Sequence, residues 1–571
     1  MQYEYGNGFS DFVSAMTDPL NRRTEYQYDP AGNITRITRM AGTDRAASWN
    51  TTWDSTLAQP LTITDPNGNL SRMTYDASGN LLTLQNAPGE TWTYTYDAQG
   101  RRLTSTNPVG KTRTLAYDGG DLASVTDAVG RRVRFLSDAV GRRTGTIDPL
   151  EHLWVKHWDD LDRLTASTDP IGGVTSFSYD AKGDVLSHTD AKGHTTSYAY
   201  NVLNLVTSVQ DPLSKEAAFL YDVGGRIAQS TDRNGQVKTM SYDALGRLKM
   251  IRLGASVDNP TAFTSTIENN WDAAGRLILI IDRTCADPIA FPNCNAATVT
   301  SVITRAYDDF DHMIQEVTPQ GEVDYTYDST GRRTSMTIKN GPFNAQVIQP
   351  TVTYSYDAAD RLVSISQAAG DINGGQIQTI SLTHDAAGRR TRTTLANGAT
   401  ADYTRDDAGR VTAVVFKKSD GILIGDLQYS YDAAGRRTSI DGSLARMSLP
   451  AADVTDAVYD ADDRLLGWGG KTYQYDDQGN LTTDGDNDYQ WNDRSRLAGI
   501  RSGGAPVASF QYDSFGRRTL RTIGSTTTGF LYDHENVVQE LSGITNSASV
   551  KAHLLTGGVD EVFLRDRKSV V

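Results

Sequence analysis

The stretch Thr91-Trp92-Thr93-Tyr94-Thr95-Tyr96-Asp97-Ala98-Gln99-Gly100-Arg101-Arg102-Leu103 decides the fold. Its first half alternates, so Trp92, Tyr94 and Tyr96 face one way and the threonines the other, the period of a β-strand. Its second half is a turn. Asp at the first position accepts nearby backbone N–H bonds, and Gly at the fourth supplies the positive φ that closes a type I turn with a bulge. The phrase recurs about two dozen times, as in Tyr75-Asp76-Ala77-Ser78-Gly79-Asn80-Leu81 and Tyr242-Asp243-Ala244-Leu245-Gly246-Arg247-Leu248. A unit this short cannot bury a core alone and must stack on its neighbours.

The aromatic slot passes through Tyr75, Tyr96, Tyr117, Ser137, Trp158, Tyr179, Tyr200, Tyr221 and Tyr242, at 21-residue spacing almost throughout. Earlier copies sit at Tyr5, Tyr28 and Trp53. Later ones run from Trp271 and Tyr307 through Tyr327, Tyr356, His384, Arg405 and Tyr431 to Tyr459, Tyr475, Trp491, Tyr512 and Tyr532, less evenly spaced. Between the Tyr-Asp turns lie return turns such as Asp65-Pro66-Asn67-Gly68 and Asp169-Pro170-Ile171-Gly172, where Pro presets φ. Each unit thus reads strand, turn, strand, turn, with no sustained helical period. The pattern predicts an all-β chain, a long antiparallel sheet of β-hairpins with roughly 48 strands running ~230 Å and only ~20 Å wide. Such a ribbon must twist and curl into a shell or spiral wall.

Composition fits a wetted sheet: 38% hydrophobic residues and 27 Tyr against 14 Phe, with a mean hydropathy of −0.46. A net charge of −15 argues against a nucleic-acid partner. The longest aliphatic run, Leu277 to Ile281, is too short to span a bilayer, and Met1 to Phe9 show no signal-peptide pattern.

The repeats resemble the RHS/YD-repeat family over nearly the whole chain. The resemblance implies a hollow β-shell, or β-cocoon, that in polymorphic-toxin members encloses a C-terminal toxin or effector as cargo for interbacterial competition or delivery. It also implies a secreted or cell-surface location and a secretion machinery, without enzymatic activity, cofactor or metal. On that reading residues 1–541 are shell, regular over about 75–250 and irregular with insertions over about 250–490. Tyr532 to Glu540 and Leu555 to Glu561 resemble the lead into the family core, so 542–565 is expected to begin a core-associated region cut short. Residues Asp566 to Val571 match one frame of a common sequencing adapter and are expected to be a non-native tail. The alternative is a cell-surface protein binding carbohydrate through its aromatic stripes, or mediating adhesion; an enzyme hidden in the 243–307 or 333–356 insertions is a third.

The candidate site residues are structural: the turn glycines Gly79, Gly100, Gly183, Gly246, Gly275, Gly331, Gly435, Gly479 and Gly516. Cys285 and Cys294 share one insertion and form either a disulfide or two free thiols. Eight scattered histidines show no HExxH pattern, and no serine sits in a G-x-S-x-G elbow. Asp484-Gly485-Asp486-Asn487-Asp488 lacks the later ligands of an EF-hand and reads as a polar hairpin turn.

Overall fold

The computed structural model describes residues 1–6, 9–285, 297–339, 350–367, 377–446, 456–543, 550–557 and 561–567. Among them are 51 strands and no helix. Consecutive strands pair antiparallel in sheets of 38, three and ten strands, the first ending at Arg437–Asp441 and the last running from Gln474–Tyr475 to Val562–Arg567. That last sheet continues through Val550–Thr556 and Val562–Arg567 in the same antiparallel manner, with Asp566 and Arg567 opposite His553 and Ala552.

The hairpin at Asp243 shows how the sequence makes the fold. The Asp243 and Arg247 backbones and the Gly246 N–H close the turn at 2.9 Å each. One carboxylate oxygen of Asp243 accepts the N–H groups of Leu245 and Arg247, both at 2.9 Å, and the other accepts Arg247 Nε at 2.7 Å. Gly246 adopts φ +81°, as the bulged turn requires. The nine singled-out glycines all have φ between +77° and +97°.

Beyond the turn the register slips: Tyr242 faces Leu248 but Ser241 faces Met250, leaving Lys249 unopposed. The same slip follows the Tyr-Asp turns at Tyr75, Tyr179 and Tyr221, whereas the return hairpins at Thr64, Thr168 and Thr231 are in plain register. An extra residue at one edge only bends and twists the ribbon with a constant sense.

The slip also opens a gap in the ladder. Strand Ile227–Thr231 pairs with Gln236–Tyr242 only as far as Gln229, so the Ile227 carbonyl has no backbone partner there. The Tyr242 hydroxyl donates to it at 2.9 Å. Tyr75 does the same for Pro60, Tyr200 for Val185 and Tyr512 for Leu497, and where the slot holds Trp53, Trp158 or Trp491 the indole N–H takes over. On the opposite face, hydroxyl pairs such as Thr95 with Thr104 and Ser178 with Ser187 cross neighbouring strands at 2.6 Å.

Tyr242→Phe should destabilise by about 1 kcal/mol, the net worth of the lost bond, and Tyr242→Trp by less. Equal urea midpoints for the Phe variant and the parent would remove this role. Gly246→Ala should also lose about 1 kcal/mol, because an L side chain is strained at positive φ; an unchanged melting temperature would contradict the turn geometry.

Candidate functional site: the seam between windings

Where a repeat phrase ends in Arg, that Arg joins one turn to the next. Arg247, held by Asp243, donates Nη1 to the Asp272 carbonyl at 2.8 Å while its guanidinium lies over the Trp271 ring. Arg163 bridges Asp159 to the Asp180 carbonyl over Tyr179, and Arg276 bridges Asp272 to the Asp308 carbonyl over Tyr307. The result is a rail of carboxylate, guanidinium and ring along one edge, interrupted where Asn80, Asp184 or Leu205 takes the Arg position, with cation–π contacts adding to the hydrogen bonds.

Further along the chain, this edge meets the return-turn edge of residues far earlier in sequence. Arg22 Nη1 donates to Asp311 at 2.5 Å and Arg45 to Asp309 at 3.1 Å. Asn67 bonds Thr330 at 2.9 Å, and Glu90 accepts from Arg361 at 2.7 Å. Lys111 pairs with Asp407 at 2.6 Å, Lys192 with Asp463 at 2.5 Å and Lys215 with Asp477 at 2.9 Å. Each pair joins a return turn of a first winding to a Tyr-Asp turn of a second. From Asn67 to Thr330 the ribbon runs through 23 strands, a circumference of about 110 Å and a diameter of about 35 Å. From Arg333 to Asp533 the return takes 18 strand spacings, so the spiral narrows to about 90 Å around.

The narrow end is locked by buried charge. Arg494 makes two bonds to Asp282, at 2.7 and 2.8 Å, while Thr264 and Ser265 donate to Asp493 at 2.7 and 2.9 Å. Buried Glu316 accepts from Arg517 at 2.7 Å and Arg305 at 2.8 Å. Asp533, 2% exposed, accepts from Arg333 at 2.6 Å and from the Tyr325 hydroxyl at 3.0 Å. Burial, then Asp533, pushes the Tyr325 hydroxyl well above its ordinary value; burial pushes Tyr327 up to about 12. Here the last strands lie over the aromatic face. Leu531, Val538 and Leu555 pack with Val323, Tyr325, Met336, Ile338, Ile365 and Ile380 into the largest apolar cluster among the described residues.

Several turn carboxylates are held low. The Arg247 backbone N–H holds Asp243 below the usual range, and the Arg142 side chain does so for Asp138. Burial pushes Asp328 up, but side-chain bonds from Arg332 and Thr330 outweigh it and bring it down to about 2. Asp462 at the seam runs the other way, raised first by burial and then by Asp211.

The histidines are part of the same scaffold. His152, His194 and His312 occupy the Arg position of their turns, 3.0–3.3 Å from Asp148, Asp190 and Asp308. His384 fills an aromatic slot and is lowered by burial, and His553 bonds Gln539. Among the described residues no three His, Cys, Asp or Glu side chains are grouped to hold a metal, and no helix is long and apolar enough to cross a membrane. Asp484 caps its hairpin, accepting from the backbone of Asp486 and Asn487 and from the Tyr489 hydroxyl, which lowers its carboxyl strongly. Cys294 lies outside the described residues.

The Teneurin YD-shell family profile matches residues 344–556. The RHS Repeat profile matches 11–44, 82–112, 158–193, 179–216, 221–255 and 307–342. The chain is an RHS/YD-repeat protein. It is 28% identical over 135 residues to the tRNA nuclease WapA of Bacillus subtilis (strain 168), 22% of this chain and 5% of that one. Against the tRNA3(Ser)-specific nuclease WapA of Bacillus spizizenii it is 27% identical over 124 residues, 21% of this chain and again 5% of the relative.

Among solved structures, the Tc holotoxin pore of Photorhabdus luminescens superposes with a TM-score of 0.50 at 14% identity, over 97% of this chain and 41% of the other. The TcdB2-TccC3 crystal structure gives 0.49 at 14% identity, over 97% and 40%. The RHS/YD-repeat chain thus spans well under half of the shell structures it matches and a twentieth of the WapA relatives.

The sequence analysis placed the Tyr-Asp turns and their glycines but missed both the hydroxyl bond and the seam. The slot itself carried a signal for the first: its occupants include Tyr, Trp, His and Arg but never Phe.

Asp533→Ala should destabilise the narrow end by about 3 kcal/mol, because Arg333 is left buried without its partner. Hydrogen exchange in Gly321–Tyr327 and Arg333–Lys339 reads that loss, and unchanged protection would refute it. Carboxylates held low in the fold contribute stability that is complete above their unfolded pKa near 4 and is lost as pH falls through the folded value. Acid unfolding should therefore extend from about pH 4 down to about 2, where Asp328 titrates. A transition completed above pH 4 would contradict the turn assignments.

Proposed function

We propose that this segment is part of the wall of a container that, in the intact protein, encloses a C-terminal effector polypeptide until delivery. The observation that carries the reading is the seam: return turns from Arg22 to Lys215 meet Tyr-Asp turns from Asp309 to Asp477. A ribbon joined to itself in this way bounds a space, and a diameter of about 35 Å leaves room inside for polypeptide. The RHS/YD membership supports the same role, as does a site made of turn caps and ion pairs rather than convergent acid, base and nucleophile. Under this reading residues 1–541 are wall, 542–565 lead toward the enclosed part, and the nine turn glycines are the positions that set the hairpins. A secreted or cell-surface location and dependence on an export machinery belong to the same proposal.

Carbohydrate binding has weaker support. The slot rings carry guanidinium groups over one face, as Tyr179 and Tyr242 do, and spend their hydroxyls on backbone carbonyls. Those rings are committed to the wall and offer a sugar little open face.

The test is protection. A protease-sensitive polypeptide fused after Val571 should be cleaved at least tenfold more slowly than the same polypeptide free in solution, and mild acid below pH 4 should abolish the difference. Cleavage at the free rate at neutral pH, with the wall itself intact on a gel, would overturn the container reading.

A further inference from the structure

Along the seam a cation of one winding meets a carboxylate of the other, as Lys111 meets Asp407 and Lys192 meets Asp463. Between those two pairs the pattern breaks. The return turn from Asp127 to Arg131 there faces the Tyr-Asp turn from Asp432 to Arg436, and cation meets cation. The engaged turns carry Asp309, Asp407 and Asp477 directly after their turn Asp, paired with Arg45, Lys111 and Lys215. At this step the same position is Ala433.

Arg131 gives Nε and Nη2 to Asp127, at 2.6 and 2.5 Å, and points Nη1 across the seam at Gly435. A Cβ on Gly435 would overlap that nitrogen and stand 3.6 Å from Arg410 Nη1, so two guanidinium groups converge on one point. Arg410 is clasped by Asp406 through Nε at 2.6 Å, but its Nη1 is buried without an acceptor. The same atom of Arg163, Arg247 and Arg276 donates to the carbonyl of the next turn's Asp. A buried N–H left unpaired is costly, and like charges at close range repel.

That point opens on a cleft of about 640 Å³ whose walls include Arg132, Arg134 and Tyr431. The acids of the cleft are already engaged: Glu151 pairs with Arg134, and Asp432 accepts from Arg436 Nε at 2.7 Å. Arg132 is exposed and has no side-chain hydrogen bond or ion pair among the described residues.

We propose that this step of the seam binds a compact phosphate-bearing anion, whose oxygens accept from Nη1 of Arg131 and Arg410 and from the guanidinium of Arg132. Guanidinium donors suit phosphate oxygens, and each such bond is charge-assisted. The chain's net charge of −15 opposes a long polyanion, which leaves small inorganic phosphates and phosphomonoesters as the ligand class. The bound anion supplies here the negative charge that Asp407 supplies to Lys111, and so fastens the two windings at a place where their own side chains repel.

Titration calorimetry of the full chain with potassium pyrophosphate, against potassium chloride at equal ionic strength, tests this. Pyrophosphate should bind at a single site and raise the melting temperature. Arg132→Gln should weaken binding roughly tenfold, the worth of one charge-assisted bond. Ala433→Asp places a carboxylate where the other seam turns have one; it should abolish binding and melt above the parent in phosphate-free buffer. Ala433→Asn, of the same size without the charge, should still bind, and circular dichroism matching the parent verifies the fold of each variant. Inorganic phosphate and phosphoserine separate the two sources: tighter binding of the inorganic ions points to a free anion, equal or tighter binding of phosphoserine to a phosphorylated molecule, and either upholds the site. No binding of any of the three, an effect that chloride reproduces, or undiminished binding in Ala433→Asp or Arg132→Gln would each overturn the proposal.

Discussion

One hydrogen bond recurring through most of the repeats, from the Tyr or Trp of the slot to a carbonyl of the preceding strand, holds this wall together. The bulge beside each Tyr-Asp turn gives the ribbon its curl but strips a carbonyl of its ladder partner, as at Ile227. An unpaired backbone group in a half-buried setting is costly. The slot side chain removes that cost with a donor at the end of a long, flat, apolar body. Tyr and Trp meet the specification, and Arg405 meets it too, its guanidinium 3.4 Å from the Arg390 carbonyl. Curvature and the aromatic stripe are therefore one feature seen from two sides.

Stability is distributed along the rail and concentrated at one end. Through most of the first winding the side chains are half-exposed on both faces, and pairs across the seam such as Lys192 with Asp463 sit in water, where each is worth little. The narrowing end is different. Glu316, Asp282 and Asp533 are buried against half-buried arginines, and the strands from Gly321–Tyr327 to Gln378–His384 gain an apolar partner in the last hairpins. A ribbon that is thin everywhere acquires a core only where it overlaps itself.

Much of this was legible in the sequence, and what escaped was non-local. The period of 21 residues, the alternation in Thr91 to Tyr96 and the Asp-x-x-Gly turns fix the all-β class and the hairpins, because turn chemistry acts within five residues. The absence of Phe from the slot and the Asp four residues before Arg were local signals for the donor and the clasp that the sequence reading did not use. The seam was out of reach. Which Lys meets which Asp depends on how far the ribbon bends per strand, and that sum over 23 strands follows from small twists that no single residue announces. The buried Arg333, Asp533 and Tyr325 cluster was hidden for the same reason, its members lying about 200 residues apart.

The coil-to-coil pairing has a consequence for how such a chain can lengthen. Adding one repeat within the first coil leaves every local clasp intact, yet moves each seam cation before it one notch past its opposite number. An insertion after Lys192 would leave Lys192, and each seam cation before it, facing a different turn, while cations beyond the insertion keep their partners. The two edges behave as the scales of a vernier, in which an insertion is read out at every pair that spans it. Growth by duplication is cheap for the strand and exacting for the alignment, which favours edge residues that repeat as faithfully as the turns themselves.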